Sequence, residues 1–87
     1  MIALTQRVAR EVADRNVTVN AVMTGLVASA WAREQMTEEF TEQLARTVPA
    51  GRLADPSEVA RVIAFLCSPD AGYITGQMLG VDGGLRA

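Results

Sequence analysis

The fold is decided by residues 17 to 22, which read Val17-Thr18-Val19-Asn20-Ala21-Val22. This run is β-branched and nearly apolar, which is typical of a strand covered on both faces within a parallel sheet. The segment that follows, from Met23 to Val27, contains Gly25. A glycine here permits a sharp turn or a close approach of the backbone to a ligand. The sequence therefore predicts a buried strand that ends in a candidate binding loop.

A helix is predicted directly before this strand, over residues 2 to 15. Leu4, Val8 and Val12 recur every four residues, which places them on one apolar face. Asn16 tolerates the left-handed conformation that closes many helices, so we expect the helix to end there.

Residues 28 to 47 hold a second helical pattern. Thr37 is the predicted N-cap, and Met36, Phe40 and Leu44 are spaced by four residues. The other faces of the segment are polar. It is predicted either as a partly exposed flap or as an ordinary surface helix over a core.

A further helix begins at Asp55-Pro56-Ser57-Glu58, which combines an Asp N-cap, a Pro at the first helical position and a Glu at capping-box spacing. Ser68-Pro69 ends the helix. The apolar residues between these signals lie three or four positions apart and are predicted to face the core. They are Val59, Val62, Ile63 and Leu66.

Residues 77 to 81 predict a second short, buried strand, closed by the turn Asp82-Gly83-Gly84. The order is then helix, strand, flap helix, helix, strand, which indicates the α/β class. If the two strands are parallel neighbours, their connection is expected to be a right-handed crossover with the helix packed on one face.

Composition narrows the possible chemistry of the 87 residues. A net charge of −2 with dispersed arginines argues against nucleic acid, and no apolar run is long enough for a membrane span, so a cytoplasmic location is expected. Histidine and lysine are both absent, which excludes histidine or lysine catalysis and a Cys/His metal site. Cys67, the single cysteine, is predicted to be a small buried hydrophobe.

Several segments, in the same order, resemble the short-chain dehydrogenase/reductase (SDR) family. They cover essentially the whole chain, and the likeness is greatest to 3-oxoacyl-[acyl-carrier-protein] reductases and related sugar or alcohol dehydrogenases. The segments are Ala9-Arg10-Glu11-Val12-Ala13, residues 17 to 22 with Gly25, Val48-Pro49-Ala50-Gly51-Arg52-Leu53, Asp55 to Ala60, Phe65 to Ser68, Tyr73 to Gln77 and Val81 to Gly84.

The resemblance implies the C-terminal part of a Rossmann-like, doubly wound parallel sheet that binds NAD or NADP. It implies hydride transfer between the nicotinamide and the carbonyl or alcohol carbon of a small molecule. In members of the family, the residue that matches Val27 meets the nicotinamide carboxamide through its backbone, and the residue that matches Ser29 presents a hydroxyl to the cofactor. Thr24 stands where the family typically has proline. The implied cofactor-binding residues are Thr24, Gly25, Leu26, Val27 and Ser29.

The resemblance also implies a substrate-covering flap over residues 30 to 44. Trp31, Met36 and Phe40 would supply its apolar wall, although a packing role for each is an equal alternative. In many relatives the edge at the last strand joins a subunit interface, so a homo-oligomer or association with SDR subunits is expected. Which substrate is used, and whether NADH or NADPH, stays open.

The family's glycine-rich phosphate loop, catalytic serine and Tyr-x-x-x-Lys pair have no counterpart in residues 1 to 87. By the resemblance they would precede Met1, so the chain is interpreted as the C-terminal portion of one Rossmann-type domain that lacks its nucleotide-binding half and any catalytic residue. We expect it to bind cofactor weakly or not at all and to be inactive alone. The alternatives are a non-catalytic module that pairs with full-length SDR subunits and a decayed fragment without function.

Overall fold

The computed structural model describes residues 2–87, which form four α-helices and two β-strands in the predicted order, except that two helices stand in place of the single flap helix. The elements are α1 (Ile2–Val12), β1 (Ala21–Thr24), α2 (Ala30–Gln35), α3 (Glu38–Thr47), α4 (Pro56–Leu66) and β2 (Met78–Val81), with 3-10 turns at Ala13–Arg15 and Pro69–Ala71. The described residues fall into two compact units. The first runs up to Met23 and includes Arg61–Leu79, and the second comprises Thr24–Ala60 and Gly80–Ala87.

In the first unit, α1 buries Thr5 and Ala9, whereas its predicted apolar stripe is only partly covered. Val8 and Val12 are half-buried, and Leu4 is 60% exposed. A Cβ added to Gly76 would lie 3.5 Å from Ala9 Cβ, so the helix approaches this turn closely because both residues are small. Asn16 closes the helical segment at φ 61°, and its N–H donates to Ala13 O, which confirms the predicted left-handed stop.

The strand predicted over residues 17 to 22 begins later, at Ala21, and extends to Thr24. Before that point the backbone pairing is irregular, with Gly76 N–H donating to Val19 O at 2.8 Å, and side chains supply further bonds. Val19 N–H donates to Thr75 Oγ1 at 3.0 Å, and the Asn20 amide donates to Ile74 O at 3.2 Å. These bonds take up the backbone groups that a regular ladder would use, and β1 residues are half-buried or exposed, not covered on both faces.

The two strands are neighbours and run parallel. Ala21 N–H donates to Gln77 O at 2.9 Å, and Gly25 N–H donates to Val81 O at 3.3 Å. From the first bond to the second, the chain advances by the same number of residues on both strands, which is the register of a parallel pair. The α/β class with a parallel sheet is therefore confirmed.

The side-chain bond to Thr75 predicts an effect on stability. Replacing Thr75 by Val keeps the shape but leaves Val19 N–H without its acceptor, so we expect the free energy of unfolding to fall by about 1 kcal/mol or slightly more. Thr75→Ser retains the hydroxyl and is the matched control. Urea unfolding of both variants checks this, and equal transition midpoints would show that the bond contributes nothing.

In the second unit, the helical pattern predicted over residues 28 to 47 is divided into α2 and α3. Met36 is extended, with ψ 141°, and ends α2. The Thr37 hydroxyl accepts the Phe40 N–H at 3.1 Å, which confirms Thr37 as the N-cap of α3. The hydroxyls of Ser29 and Thr37 each accept a backbone N–H in the first turn of one of the two helices, so each helix has its own N-cap.

The start of α4 has the predicted capping chemistry. Asp55 Oδ1 accepts the Ser57 N–H at 3.0 Å, and Glu58 Oε1 accepts the Asp55 N–H at 2.9 Å. Each carboxylate satisfies a backbone donor that the helix itself leaves unpaired. The capping box is therefore confirmed.

The predicted core face of α4 is not buried among the described residues. Val59, Val62 and Leu66 are half-buried and Ile63 is exposed. Cys67 is exposed as well, so its prediction as a buried hydrophobe is wrong. The exposure of the α4 face and of Cys67 has the same cause, which is that residues 2–87 fully bury no large side chain. The buried apolar residues are all small or medium in size: Ala9, Ala32, Val48 and Ala71.

Within residues 2–87, no helix has both the length and the hydropathy to cross a membrane.

Candidate functional site

The segment from Thr24, the last residue of β1, to Ser29 is named here the β1–α2 loop, and it leads from the carboxyl end of β1 to α2. Ala54 N–H donates to Leu26 O at 3.0 Å, and Ala28 N–H donates to Ala54 O at 2.8 Å. These bonds form a single parallel bridge between Val27 and Ala54. The loop therefore has a defined backbone conformation in the second unit.

The bridge directs the backbone of Val27 away from Ala54. In a parallel bridge, one residue bonds to the two neighbours of the residue opposite it, and the N–H and C=O of that opposite residue point away. Here Ala54 bonds to Leu26 and Ala28, so the N–H and C=O of Val27 point away from Ala54. Val27 O accepts the Ser29 N–H at 2.9 Å. The Val27 N–H donates to no other residue within the described part of the chain, so it is open in the sense that it has no protein acceptor.

Ser29 serves as the N-cap of α2. Its Oγ accepts the Ala32 N–H at 3.1 Å. A hydroxyl has one proton to donate in addition to its two lone pairs, so this bond leaves the Ser29 proton available. The structure thus brings an open N–H at Val27 and a hydroxyl donor at Ser29 to the same short loop.

Gly25 is required by a protein contact. A Cβ at this position would lie 2.9 Å from Asp82 Cβ and 3.1 Å from Asp82 Cα. The close approach predicted from sequence exists, but the neighbour that occupies the space is Asp82. Sequence reasoning assigned residues 82 to 84 only to a turn and gave no signal that Asp82 packs against the loop.

Asp82 carries a small hydrogen-bond network that reaches Thr24. Its side chain is only 10% exposed. Oδ1 accepts the Gly84 N–H at 3.1 Å, and Oδ2 accepts from Arg86 Nη1 at 3.1 Å. Arg86 Nη2 donates to Thr24 O at 3.2 Å. Thr24 is therefore held through its carbonyl.

The network shifts the acidity of Asp82. Burial raises the pKa of this carboxyl, but the hydrogen bonds from Arg86 and the Gly84 N–H, with the charge of Arg86, outweigh that effect. The pKa of Asp82 therefore lies below its ordinary value of 3.8. The hydrogen bonds from the Ser57 backbone and hydroxyl likewise lower the pKa of Asp55.

These two shifts predict acid sensitivity. A carboxyl whose folded pKa is lowered contributes stability above its unfolded pKa, and that stability is lost as the pH falls through the folded value. We expect the free energy of unfolding to decline below about pH 4. Urea unfolding between pH 7 and pH 2 measures it, and Asp82→Asn is expected to show a shallower decline than the unaltered chain. Identical profiles would contradict a contribution from Asp82.

A small cavity of about 150 Å³ lies beside the loop within the second unit. Leu26, Ala54 and Val81 give it apolar lining, and Arg52 and Glu58 also line it. Arg52 donates to both Glu58 carboxylate oxygens, at 2.6 and 2.9 Å. This pairing raises the pKa of Arg52 and commits its guanidinium to the protein. Leu26 lines this cavity, and its role toward a cofactor stays a prediction.

The predicted flap residues are found on α2 and α3 and at the break between them. Trp31 is 71% exposed, Phe40 is 48% exposed and Met36 is half-buried. Such exposure gives a large apolar surface in the second unit, as a substrate-covering wall requires. Their role toward a substrate stays a prediction.

No group of three or more metal-ligating side chains occurs in the described part of the chain. Tyr73, the single tyrosine, is fully exposed in the first unit. The described residues thus offer binding groups at the β1–α2 loop and no cluster suited to metal chemistry.

A family model described as enoyl-(acyl carrier protein) reductase matches residues 1–86. A 3-oxoacyl-[acyl-carrier-protein] reductase of Vibrio cholerae is 49% identical over 85 residues, which is 98% of this chain and 34% of that protein. A (3R)-3-hydroxyacyl-CoA dehydrogenase of Mus musculus is 40% identical over 85 residues, 98% of this chain and 32% of that protein. The chain thus spans about one third of the length of these curated relatives.

Solved structures agree with the sequence relatives. YwfH, an NADPH-dependent reductase involved in bacilysin biosynthesis, has a TM-score of 0.86 at 31% identity, covering 97% of this chain and 35% of that one. A short-chain dehydrogenase family protein of Francisella tularensis has a TM-score of 0.88 at 26% identity, covering 98% of this chain and 39% of that one. The chain belongs to the short-chain dehydrogenase/reductase family and resembles its 3-oxoacyl-[acyl-carrier-protein] reductases.

Proposed function

We propose that this chain contributes the nicotinamide-binding loop and the substrate-covering flap of an NAD(P)-dependent reductase that interconverts a carbonyl and an alcohol. The names of the relatives favour 3-oxoacyl thioesters as substrates. Because the chain spans about one third of the length of those relatives, we propose that residues 1–87 form the C-terminal portion of one Rossmann-type domain. We also propose a cytoplasmic location.

The observation that carries the proposal is the pair of donors at Val27 and Ser29. Ligands of parallel α/β sheets bind beyond the carboxyl ends of the strands, and the β1–α2 loop follows such an end. A nicotinamide carboxamide has a carbonyl that accepts hydrogen bonds, which fits the open Val27 N–H. The Ser29 hydroxyl adds a second donor. When bound, the cofactor supplies the hydride, and these residues orient its ring.

We propose that residues 1–87 do not supply the proton that the reaction needs. An alkoxide product needs a proton donor whose pKa is near neutrality, and an unassisted phenol with a pKa of about 10 serves poorly. The 87 residues contain no lysine, and the single tyrosine, Tyr73, is fully exposed. We therefore propose that the chain alone turns over no substrate.

Titration of the isotope-labelled chain with NADPH and NADH, followed by amide NMR, tests the binding part. We expect weak, millimolar binding, because most of a dinucleotide would lack contacts, with shifts concentrated at the amides of residues 26 to 29. Adenosine diphosphate ribose, which lacks nicotinamide, is the matched ligand control and should leave these amides unchanged. Shifts confined to other residues, or none at all, would overturn the assignment of the loop.

Two further results would contradict the proposal in its other parts. Tight, micromolar binding of either dinucleotide would show that this chain alone forms a complete binding pocket. Turnover of a 3-oxoacyl thioester by the purified 87 residues, in material free of host reductase, would show that a proton relay exists without lysine.

A second candidate function is a non-catalytic module that pairs with copies of itself or with full-length SDR subunits. It is favoured by the many large apolar side chains left exposed, since such surface marks association sites. They are Ile2, Leu4, Val17, Trp31, Phe40, Ile63, Phe65, Tyr73, Leu79 and Leu85. Size-exclusion chromatography with light scattering tests it, and a folded monomer that does not associate with an SDR subunit would count against it.

A further inference from the structure

Arg86 connects the turn after β2 to the first residue of the β1–α2 loop. One of its terminal nitrogens donates to Asp82 Oδ2 at 3.1 Å, and the other donates to Thr24 O at 3.2 Å. The carboxylate fixes the direction of the guanidinium, since a planar fork that donates on one side has little freedom on the other. Half of the Arg86 side chain remains exposed, so these bonds, not burial, determine its position.

The loop has few other attachments at this end. Gly25 N–H donates to Val81 O at 3.3 Å, the longest backbone bond of the loop, and Gly25 has no side chain to pack. Asp82 occupies the space beside it, with its own Oδ1 held by the Gly84 N–H. Asp82 and Arg86 therefore form a clasp over the start of the loop, defined here as the contacts of Asp82 and Arg86 with residues 24 and 25.

We propose that Arg86, oriented by Asp82, is a positioning residue that holds the β1–α2 loop in its ligand-binding conformation. The clasp acts on residue 24, and Val27 and Ser29 follow within the same loop. The link to a dinucleotide rests on the proposed function, whereas the hold on the loop does not.

Amide hydrogen exchange of the full 87-residue chain without cofactor tests the clasp. Arg86→Gln removes the charge and one of the two donors, and Asp82→Asn keeps the size and the acceptor for Gly84 while losing the charge. We expect exchange at Gly25 and Ala28 to rise about threefold to tenfold in both variants, the range expected for one lost hydrogen bond. Arg86→Lys retains the charge and is expected to restore part of the protection.

Two controls separate the clasp from general effects. Arg7→Gln breaks an exposed Arg7–Glu11 pair of the same four-residue spacing in the first unit, and it should leave the loop amides unchanged. Ala21, whose N–H donates to Gln77 O, is the internal reference. An equal rise at Ala21 would mean general destabilisation and would overturn a local positioning role.

Titration of the same variants with NADPH distinguishes the remaining outcomes. Unchanged exchange at Gly25 and Ala28 overturns the clasp, whatever the chain binds. Weaker NADPH binding by Arg86→Gln with unchanged exchange would show that Arg86 touches the ligand and is not a positioning residue. Faster exchange in the variants, with no NADPH-induced shift in the unaltered chain, supports the clasp and counts against the proposed function.

Discussion

Gly83→Ala is expected to lower the free energy of unfolding by about 2–4 kcal/mol, from the sum of backbone strain and overpacking. Gly83 has φ +63°, and a Cβ there would lie 2.8 Å from Val48 Cγ1 and 3.1 Å from Ala50 Cβ. Val48 is only 5% exposed, so it has little room to move. Gly83 O also accepts the Ala50 N–H at 3.0 Å, and a shift of the turn would weaken that bond.

Gly51→Ala is the matched control for this prediction. Gly51 also has a left-handed φ, +80°, but a Cβ there meets nothing within 4 Å. Gly51→Ala should lower the free energy of unfolding by about 1–2 kcal/mol, from backbone strain alone. Urea unfolding of both variants gives the comparison, and equal losses would show that Val48 and Ala50 accommodate the methyl group without cost.

Features of the fold that rest on neighbouring residues could be predicted from the sequence. The Asp55 to Glu58 capping box, the Thr37 cap and the left-handed Asn16 each depend on a side chain and a backbone group within a few residues. Such signals are local, and the residue types alone specify them. The order of helices and strands followed from them and from the hydrophobic periodicity.

Features that depend on packing were predicted less well. The pattern of residues 28 to 47 predicted the Thr37 cap, but it gave no sign that the Ser29 hydroxyl would start a separate helix before it. Cys67 follows an apolar helix face, yet burial requires a surface opposite, and the described residues supply none. The start of β1 moved to Ala21 because Asn20 and Thr75, far apart in sequence, satisfy the preceding backbone.

The candidate site also has one part that the sequence predicts and one part that it does not. Gly25 indicated a candidate binding loop, and the family resemblance implied roles for Val27 and Ser29. The contacts of Asp82 with Gly25 and of Arg86 with Thr24 join segments that are distant in sequence, and no spacing rule relates them. They emerge only when the parallel register of β1 and β2 brings the two turns together.

Gly25→Ala is expected to cost about 1–3 kcal/mol of unfolding free energy, the usual range for an extra methyl in a packed site. The added Cβ would lie 2.9 Å from Asp82 Cβ and 3.1 Å from Asp82 Cα, and the second of these atoms belongs to the backbone. A backbone yields less readily than the end of a flexible side chain. Relief requires the loop to move away from Asp82, so the same substitution is expected to loosen the β1–α2 loop and speed exchange at Ala28.

Gly80→Ala is the control from the adjacent strand, since its Cβ would approach only the end of the Asp82 carboxylate, at 3.4 Å. It should change the unfolding free energy by less than about 1 kcal/mol, because ordinary contacts with a flexible group are easily adjusted. A double-mutant cycle that combines Gly25→Ala with Asp82→Gly completes the test. Removing the Asp82 Cβ makes room for the methyl group added at position 25, so the two losses should be less than additive. Full additivity would mean that the Gly25 contact with Asp82 does not limit the loop.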